Sequence, residues 1–303
     1  MQLGMVGLGK MGSGIARRLH KAGHTVVGFD TNAELATDLT AQGISTTGSL
    51  SGMVGSLTAP QVIWLMVPAG SAVDDCIGEL SPLLGSSAIL IDGGNSNYKD
   101  TMRRHSSVTA AGLSYLDVGT SGGVWGADNG YCLMVGGEAE VVDRVRPILE
   151  TLAPAPDQGW GHVGGPGSGH YVKMVHNGIE YGMMQAYAEG FALLKGRSDF
   201  DLDLGEIADI WNSGSVVRSW LLELASNALR GNPELDDLTA EVADSGEGRW
   251  TVAEAIELNI AAPVITQALI ARLQSRDTSA FSNRLLSALR REFGGHAADA
   301  EKE

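Results

Sequence analysis

Leu3-Gly4-Met5-Val6-Gly7-Leu8-Gly9-Lys10-Met11-Gly12 sets a short apolar run directly before a GxGxxG triplet, and a helical pattern continues from Met11 to about Lys21. In that pattern the first glycine permits a tight turn, the second lets backbone approach a pyrophosphate, and the third lets helix and strand pack closely. The helix N-terminus adds N–H donors and the positive end of a dipole. Gly23 closes the helix, and a second apolar strand, Thr25 to Phe29, ends at Asp30. A carboxylate about 20 residues beyond the first glycine is placed to accept hydrogen bonds from an adenosine ribose. It repels a 2′-phosphate, and Thr31 and Asn32 bring no arginine to bind one. The expected cofactor is therefore NAD in preference to NADP, held by Gly7, Leu8, Gly9, Lys10, Met11, Gly12 and Asp30.

Buried-strand patterns recur at Val62 to Val67, Ala88 to Asp92, Tyr115 to Val118 and Cys132 to Val135, with crossover-length segments between them. Such alternation predicts a doubly wound sheet. Val67, followed by the strand-ending Pro68, and Asn95 then fall at carboxyl strand ends beside the same crevice and join the cofactor set. A helical segment from about Val141 to Leu152 leads into a glycine- and proline-rich stretch, residues 151–169. Beyond it the periodicity is helical: Tyr171 to Lys195, Leu204 to Asn212, Val216 to Leu229, Thr251 to Leu258, Ala262 to Leu273 and Phe281 to Phe293. Residues 230–249 read as a long ordered loop and Ala297 to Glu303 as a polar tail. The expected architecture is an α/β Rossmann-type N-terminal domain, residues 1–163, followed by an all-α C-terminal domain, residues 164–303.

Composition narrows the class. The 303 residues are 44% hydrophobic and 19% charged, as in an ordinary globular protein, and there is no internal repeat. Thirty-six acidic against 21 basic side chains leave a formal charge of -15, which disfavours nucleic acid and anionic membrane partners. The longest apolar run, Val62 to Val67, is too short to span a bilayer. Cys76 and Cys132 have neither disulfide-framework nor zinc-site spacing, so a reducing cytoplasm is expected and no structural zinc site. No signal-peptide pattern precedes the first strand, so the chain reads as mature from Met1.

The stretch Lys173-Met-Val-His176-Asn177-Gly-Ile-Glu180-Tyr181 carries the chemistry. At about 100° per residue, His176, Asn177, Glu180 and Tyr181 all fall within about 80° of Lys173, whereas the apolar side chains take most of the remaining surface. A desolvated lysine can accept a proton, and a carboxyl in a partly apolar site can donate one. Lys173 and Glu180 therefore form an acid/base pair able to serve two atoms of one small substrate while nicotinamide takes a hydride. Asn95, in Asp92-Gly-Gly-Asn-Ser96, and Ser121, in Thr120-Ser-Gly-Gly123, sit where open α/β sheets bind ligands. Arg272 interrupts an apolar helix, and Arg290, Arg291 and His296 form a basic cluster.

The motifs GLGKMG at 7–12, DGGNS at 92–96, SGGVWGA at 121–127, GxGHYVKMVHNGIEYG at 167–182, GRWT at 248–251 and RREFGGH at 290–296 resemble 6-phosphogluconate dehydrogenase. The likeness is to the short, bacterial, NAD-linked type within the β-hydroxyacid dehydrogenase superfamily. It implies oxidative decarboxylation of 6-phosphogluconate to ribulose 5-phosphate and CO2 without a metal. Lys173 is implied as base and then acid, and Glu180 as the acid that protonates the enediol. Asn95, Ser121, Gly122, Gly123, His176 and Asn177 are implied to hold the carboxylate and hydroxyls, and Tyr181 and Arg272 the phosphate. Arg290 and His296 are implied to close the site from a neighbouring subunit of a homodimer or homotetramer. The longer NADP-linked enzymes carry Asn-Arg-Thr where this chain has Asp30-Thr31-Asn32, and a phosphate-pocket lysine where it has Ser245. The competing reading is a non-decarboxylating β-hydroxyacid dehydrogenase of the 3-hydroxyisobutyrate or tartronate semialdehyde type.

Overall fold

The computed structural model describes residues 1–294 and divides into two compact units, Met1–Gly178 and a second from Ile179 onward. His296 and the polar tail lie outside the described residues.

In the first unit the chain runs β1 (Gln2–Val6), α1 (Lys10–Lys21), β2 (Thr25–Phe29), α2 (Ala33–Thr40), β3 (Ser45–Thr46), α3 (Leu50–Gly55), β4 (Val62–Leu65) and α4 (Ser71–Leu80). It continues through β5 (Ile89–Asp92), α5 (Tyr98–Ala110), β6 (Ser114–Ser121), α6 (Gly126–Asn129), β7 (Cys132–Gly136), α7 (Ala139–Leu152) and β8 (Trp160–Gly164). The strands form one eight-stranded sheet in the order β3-β2-β1-β4-β5-β6-β7-β8. All neighbours are parallel except β6 and β7, which pair antiparallel. Strand order reverses between β1 and β4, which opens a crevice at their carboxyl ends.

Side-chain alternation along the strands builds the two faces. Met5, Trp64 and Ile91 pack with Ile15 and Leu19 of α1 and Val145 and Ile148 of α7. Val6, Ile63, Leu65 and Leu90 pack on the other side with Met53 of α3, Val73 and Ile77 of α4 and Val108 of α5. Both faces are apolar because helices cover both.

The second unit is helical: α9 (Leu204–Asn212), α10 (Trp220–Gly231), α11 (Glu247–Glu257), α12 (Pro263–Gln274) and α13 (Phe281–Gly294) follow α8 (Ser168–Gly196), whose residues span the division between the units. Phe191, Ala208, Leu222 and Leu229 form one core cluster, and Tyr181, Ala268 and Leu269 a second. The expected α/β and all-α halves are both present. No helix among the described residues is long and apolar enough to cross a membrane.

The expected elements need correction in several places. The glycine- and proline-rich stretch contains strand β8, which pairs with β7. The helix expected from Val216 begins at Trp220, because Ser219 is extended and its hydroxyl accepts the Leu222 N–H as an N-cap. The predicted β6 strand runs on through Thr120 and Ser121, which places both hydroxyl residues within the sheet's ladder.

Candidate active site

The glycine loop leaves β1 at Gly7, whose φ of +90° and close approach to the Met66 carbonyl exclude a side chain. A Cβ at Gly12 would stand 1.9 Å from the Gly7 oxygen, whereas nothing lies within 4 Å of one at Gly9. The third glycine thus packs helix against strand and the second faces open space. No side chain caps α1 and its first turn holds no acid, so its first N–H groups can serve an anion. At the end of β2, Asp30 accepts the Leu8 N–H at 2.6 Å and the Asn32 N–H at 2.7 Å, which fixes its carboxylate at the lip of the loop. These features form a cleft of about 510 Å3 whose lining includes Gly7, Gly9, Lys10, Met11, Gly12, Asp30, Val67 and Asn95. The residues present therefore fit a dinucleotide. Of the predicted cofactor residues only Leu8 stands elsewhere: its side chain is in the core and its N–H is given to Asp30. The cleft adds Pro68, Cys76, Gly93 and Gly94. Pro68 was marked by its strand-ending position, whereas Cys76 comes from α4 and had no local signal.

Beside that cleft, Asn95 adopts φ +53° and clasps Thr120: its Oδ1 accepts the Thr120 N–H at 2.9 Å and its Nδ2 donates to the Thr120 carbonyl at 3.2 Å. The loop after β5 is thereby tied to the end of β6, where Ser121, Gly122 and Gly123 follow. Gly122 and Gly123 have φ +131° and +52°, values that a β-branched residue would not tolerate. Asp92 beneath this loop is fully buried and accepts from Gly94 N, Ser96 Oγ and Tyr115 Oη. Burial pushes the Tyr115 phenol up, so it remains a donor.

Lys173 lies on the first turns of α8 and is 5% exposed. Its Nζ donates to Asn177 Oδ1 at 2.6 Å and lies 3.3 Å from His176 Nδ1, so three stripe residues meet in one polar cluster. Two features missed in the sequence set this position. Asp117 of β6, fully buried, accepts the Gly167 and His170 N–H groups at 2.8 Å each and so anchors the helix N-terminus with a negative charge. At Gly119 a Cβ would stand 2.4 Å from the Lys173 Cβ, so only glycine lets α8 press its lysine onto β6.

In the second unit, Arg272 lies over the Tyr181 ring with its Cζ 3.6 Å from the centroid, and its Nη1 donates to the Ala243 carbonyl. The Ser245 N–H donates to Tyr181 Oη, and Gly248 packs against the ring where a Cβ would meet Cε2 at 2.4 Å. Asp244 takes hydrogen bonds from both Arg249 and Arg276, and the Arg249 bonds foremost hold its carboxyl below the usual range. Glu180 is half-buried on α8, and Arg290 is exposed on α13. Among the described residues no three His, Cys, Asp or Glu side chains are grouped to hold a metal ion.

Two family profiles match the chain in succession. The profile of the NAD binding domain of 6-phosphogluconate dehydrogenase matches residues 2–163, and that of the enzyme's C-terminal domain matches residues 169–291. The NAD(+)-dependent, decarboxylating 6-phosphogluconate dehydrogenase of Haloferax volcanii is 47% identical over 298 residues, 98% of each chain. Among solved structures, Plasmodium falciparum 6-phosphogluconate dehydrogenase superposes with a TM-score of 0.84 at 28% identity, over 100% of this chain and 67% of that one. Mycobacterium tuberculosis 3-hydroxyisobutyrate dehydrogenase, at 24% identity and a TM-score of 0.73 over 91% of this chain and 94% of that one, shares the fold.

Proposed function

Because the chain belongs to the 6-phosphogluconate dehydrogenase family, we propose that it converts 6-phosphogluconate to ribulose 5-phosphate and CO2 with reduction of NAD. The observation that carries this reading is the buried Lys173 amine, gathered with Asn177 and His176 beside β6. Lys173 takes the proton of the C3 hydroxyl. Bound nicotinamide supplies the acceptor for the C3 hydride. The ammonium so formed polarises the new C3 carbonyl and gives its proton to that oxygen as the carboxylate leaves as CO2, and the amine takes the proton back as the ketone is restored. Glu180 protonates the carbon that carried the carboxylate. Asn95, Ser121, Gly122, Gly123, His176 and Asn177 orient the carboxylate and hydroxyls, and Tyr181 with Arg272 holds the phosphate. Arg290, together with His296 outside the described residues, closes the site from a second subunit of a homo-oligomer. No step requires a metal. Residues 1–163 hold the dinucleotide, and residues 164–303 serve substrate binding and assembly.

Asp30 supports NAD over NADP. Its carboxylate is fixed by two backbone N–H groups at the place where a 2′-phosphate would bring further negative charge. Asp30→Asn keeps an acceptor for Leu8 and removes the charge. It is expected to lower the ratio of kcat/KM for NAD over NADP by about tenfold, roughly one decade of differential binding. An unchanged ratio would remove Asp30 from cofactor choice.

The assay that tests the assignment follows reduced nicotinamide and CO2 together, with 6-phosphogluconate and either cofactor. Equal amounts of NADH and CO2, with NADP the poorer acceptor, are expected. Turnover of a short unphosphorylated 3-hydroxy acid without CO2 would transfer the chain to the simpler dehydrogenases.

A further inference from the structure

Arg104 of α5 is 2% exposed and among the largest fully buried side chains. Removing a guanidinium from water is costly unless every direction of its fork is met. Here its Nε and Nη2 grip both Asp74 carboxylate oxygens at 2.9 Å, Nη2 also donates to the Gly70 carbonyl at 2.9 Å, and Nη1 donates to Ser96 Oγ at 3.1 Å. Nη1 also lies 3.7 Å from the buried Asp92 carboxylate. Gly70 and Asp74 belong to the turn and first helical residues after β4, while Asp92 and Ser96 bracket the loop after β5. One side chain thus joins the two loops whose Val67, Pro68, Gly93, Gly94 and Asn95 line one wall of the cofactor cleft.

The loops also touch directly, since a Cβ at Gly94 would stand 2.8 Å from the Val67 carbonyl. That contact is a single close approach, whereas the Arg104 fork makes hydrogen bonds to both loops. The Arg104 hydrogen bonds, first among several causes, hold the Asp74 carboxyl below its usual range, so the pair stays charged as pH falls.

We propose that Arg104 is a positioning residue for the dehydrogenation. It touches no reacting group but fixes the spacing of the β4 and β5 loops, and with it the placement of Asn95 in the cofactor cleft. The inference rests on the cleft being the dinucleotide site.

The test measures NADH binding by fluorescence titration, alongside circular dichroism, thermal unfolding and kcat and KM for NAD. Arg104→Lys keeps the charge but cannot bridge both loops with a fork. It is expected to fold, to weaken NADH binding about tenfold and to raise KM for NAD while lowering kcat. A purely structural role would lower the unfolding midpoint yet leave the Kd of the folded protein unchanged. A folded Arg104→Lys with a Kd within about twofold of the wild type would overturn the proposal. Should that variant not fold, Asp74→Asn decides, because Asp74 is partly exposed and Arg104 keeps its Gly70 and Ser96 hydrogen bonds and the Asp92 carboxylate 3.7 Å away. A loss of about threefold in NADH affinity is expected, and an unchanged Kd overturns the proposal. Failure of the wild type itself to bind NADH would sink the cofactor reading and this inference with it.

Discussion

Lys173→Met is expected to bind NADH as the wild type does and to lose about 10³-fold or more in kcat. A positioned general acid/base contributes about 10²- to 10⁴-fold, and Lys173 is assigned two proton transfers in one turnover. The exchange is well suited to isolating that role. Methionine matches much of the lysine stem, and the site is almost closed to solvent, so an apolar side chain is tolerated there. The close approach of Gly119 keeps α8 pressed against β6, while the Asp117 carboxylate goes on holding the helix N-terminus. Asn177 and His176 lose a shared partner, which disturbs substrate orientation but not the glycine loop of the cleft. Single-turnover NADH formation, measured beside NADH affinity, separates chemistry from binding. A variant that kept a tenth of the wild-type rate would end the assignment of Lys173 as base.

The parts of this molecule that were legible in the sequence are those written locally. The strand, glycine loop, helix and second strand ending at Asp30 lie within one continuous stretch, each with its own period or breaker. The polar stripe of α8 could be read because residues three, four and seven apart share a helix face whatever the remainder of the chain does. Strand β8 was hidden because Trp160-Gly-His-Val-Gly164 has two glycines and leaves Val163 exposed at the sheet's edge, so its pairing with β7 comes from tertiary context. Asp117 was hidden for a related reason. Its partners, Gly167 and His170, lie some 50 residues on, and a buried acid within an apolar strand has no spacing rule that names the helix it will anchor. Arg104 sits in the polar run Tyr98-Lys-Asp-Thr-Met-Arg-Arg-His105, where nothing local distinguishes a buried guanidinium from its exposed neighbour Arg103. Leu8 shows the converse. It belongs to the motif by position, but its N–H serves Asp30 and its side chain serves the core.

Arg272→Ala is expected to raise KM for 6-phosphogluconate about 30- to 100-fold, with a much smaller change in kcat. Hydrogen bonds to charged groups contribute about 1.5–3 kcal/mol, and a phosphate remote from the reacting carbons is bound alike in ground and transition states. The reliance on this one arginine follows from its neighbours. Ser245 brings a backbone N–H to Tyr181 but no cation, and its hydroxyl engages the Glu247 carboxylate. Arg249 and Arg276 converge on Asp244, which already neutralises part of their charge. Arg272 instead stacks on Tyr181 and, among the described residues, gives its fork only to the Ala243 carbonyl and the Met184 sulfur, leaving N–H donors for an anion. Arg272→Lys keeps the charge but loses the planar stack and the fork, so it should recover only part of the affinity. The comparison that gives the result its meaning is gluconate, the same acid without the phosphate. Its turnover, expected to be weak without the phosphate contact, should be indifferent to Arg272→Ala. An equal loss for both acids would make Arg272 a support for Tyr181 and leave the phosphate without its cation, whereas no loss for either would return the chain to an unphosphorylated 3-hydroxy acid.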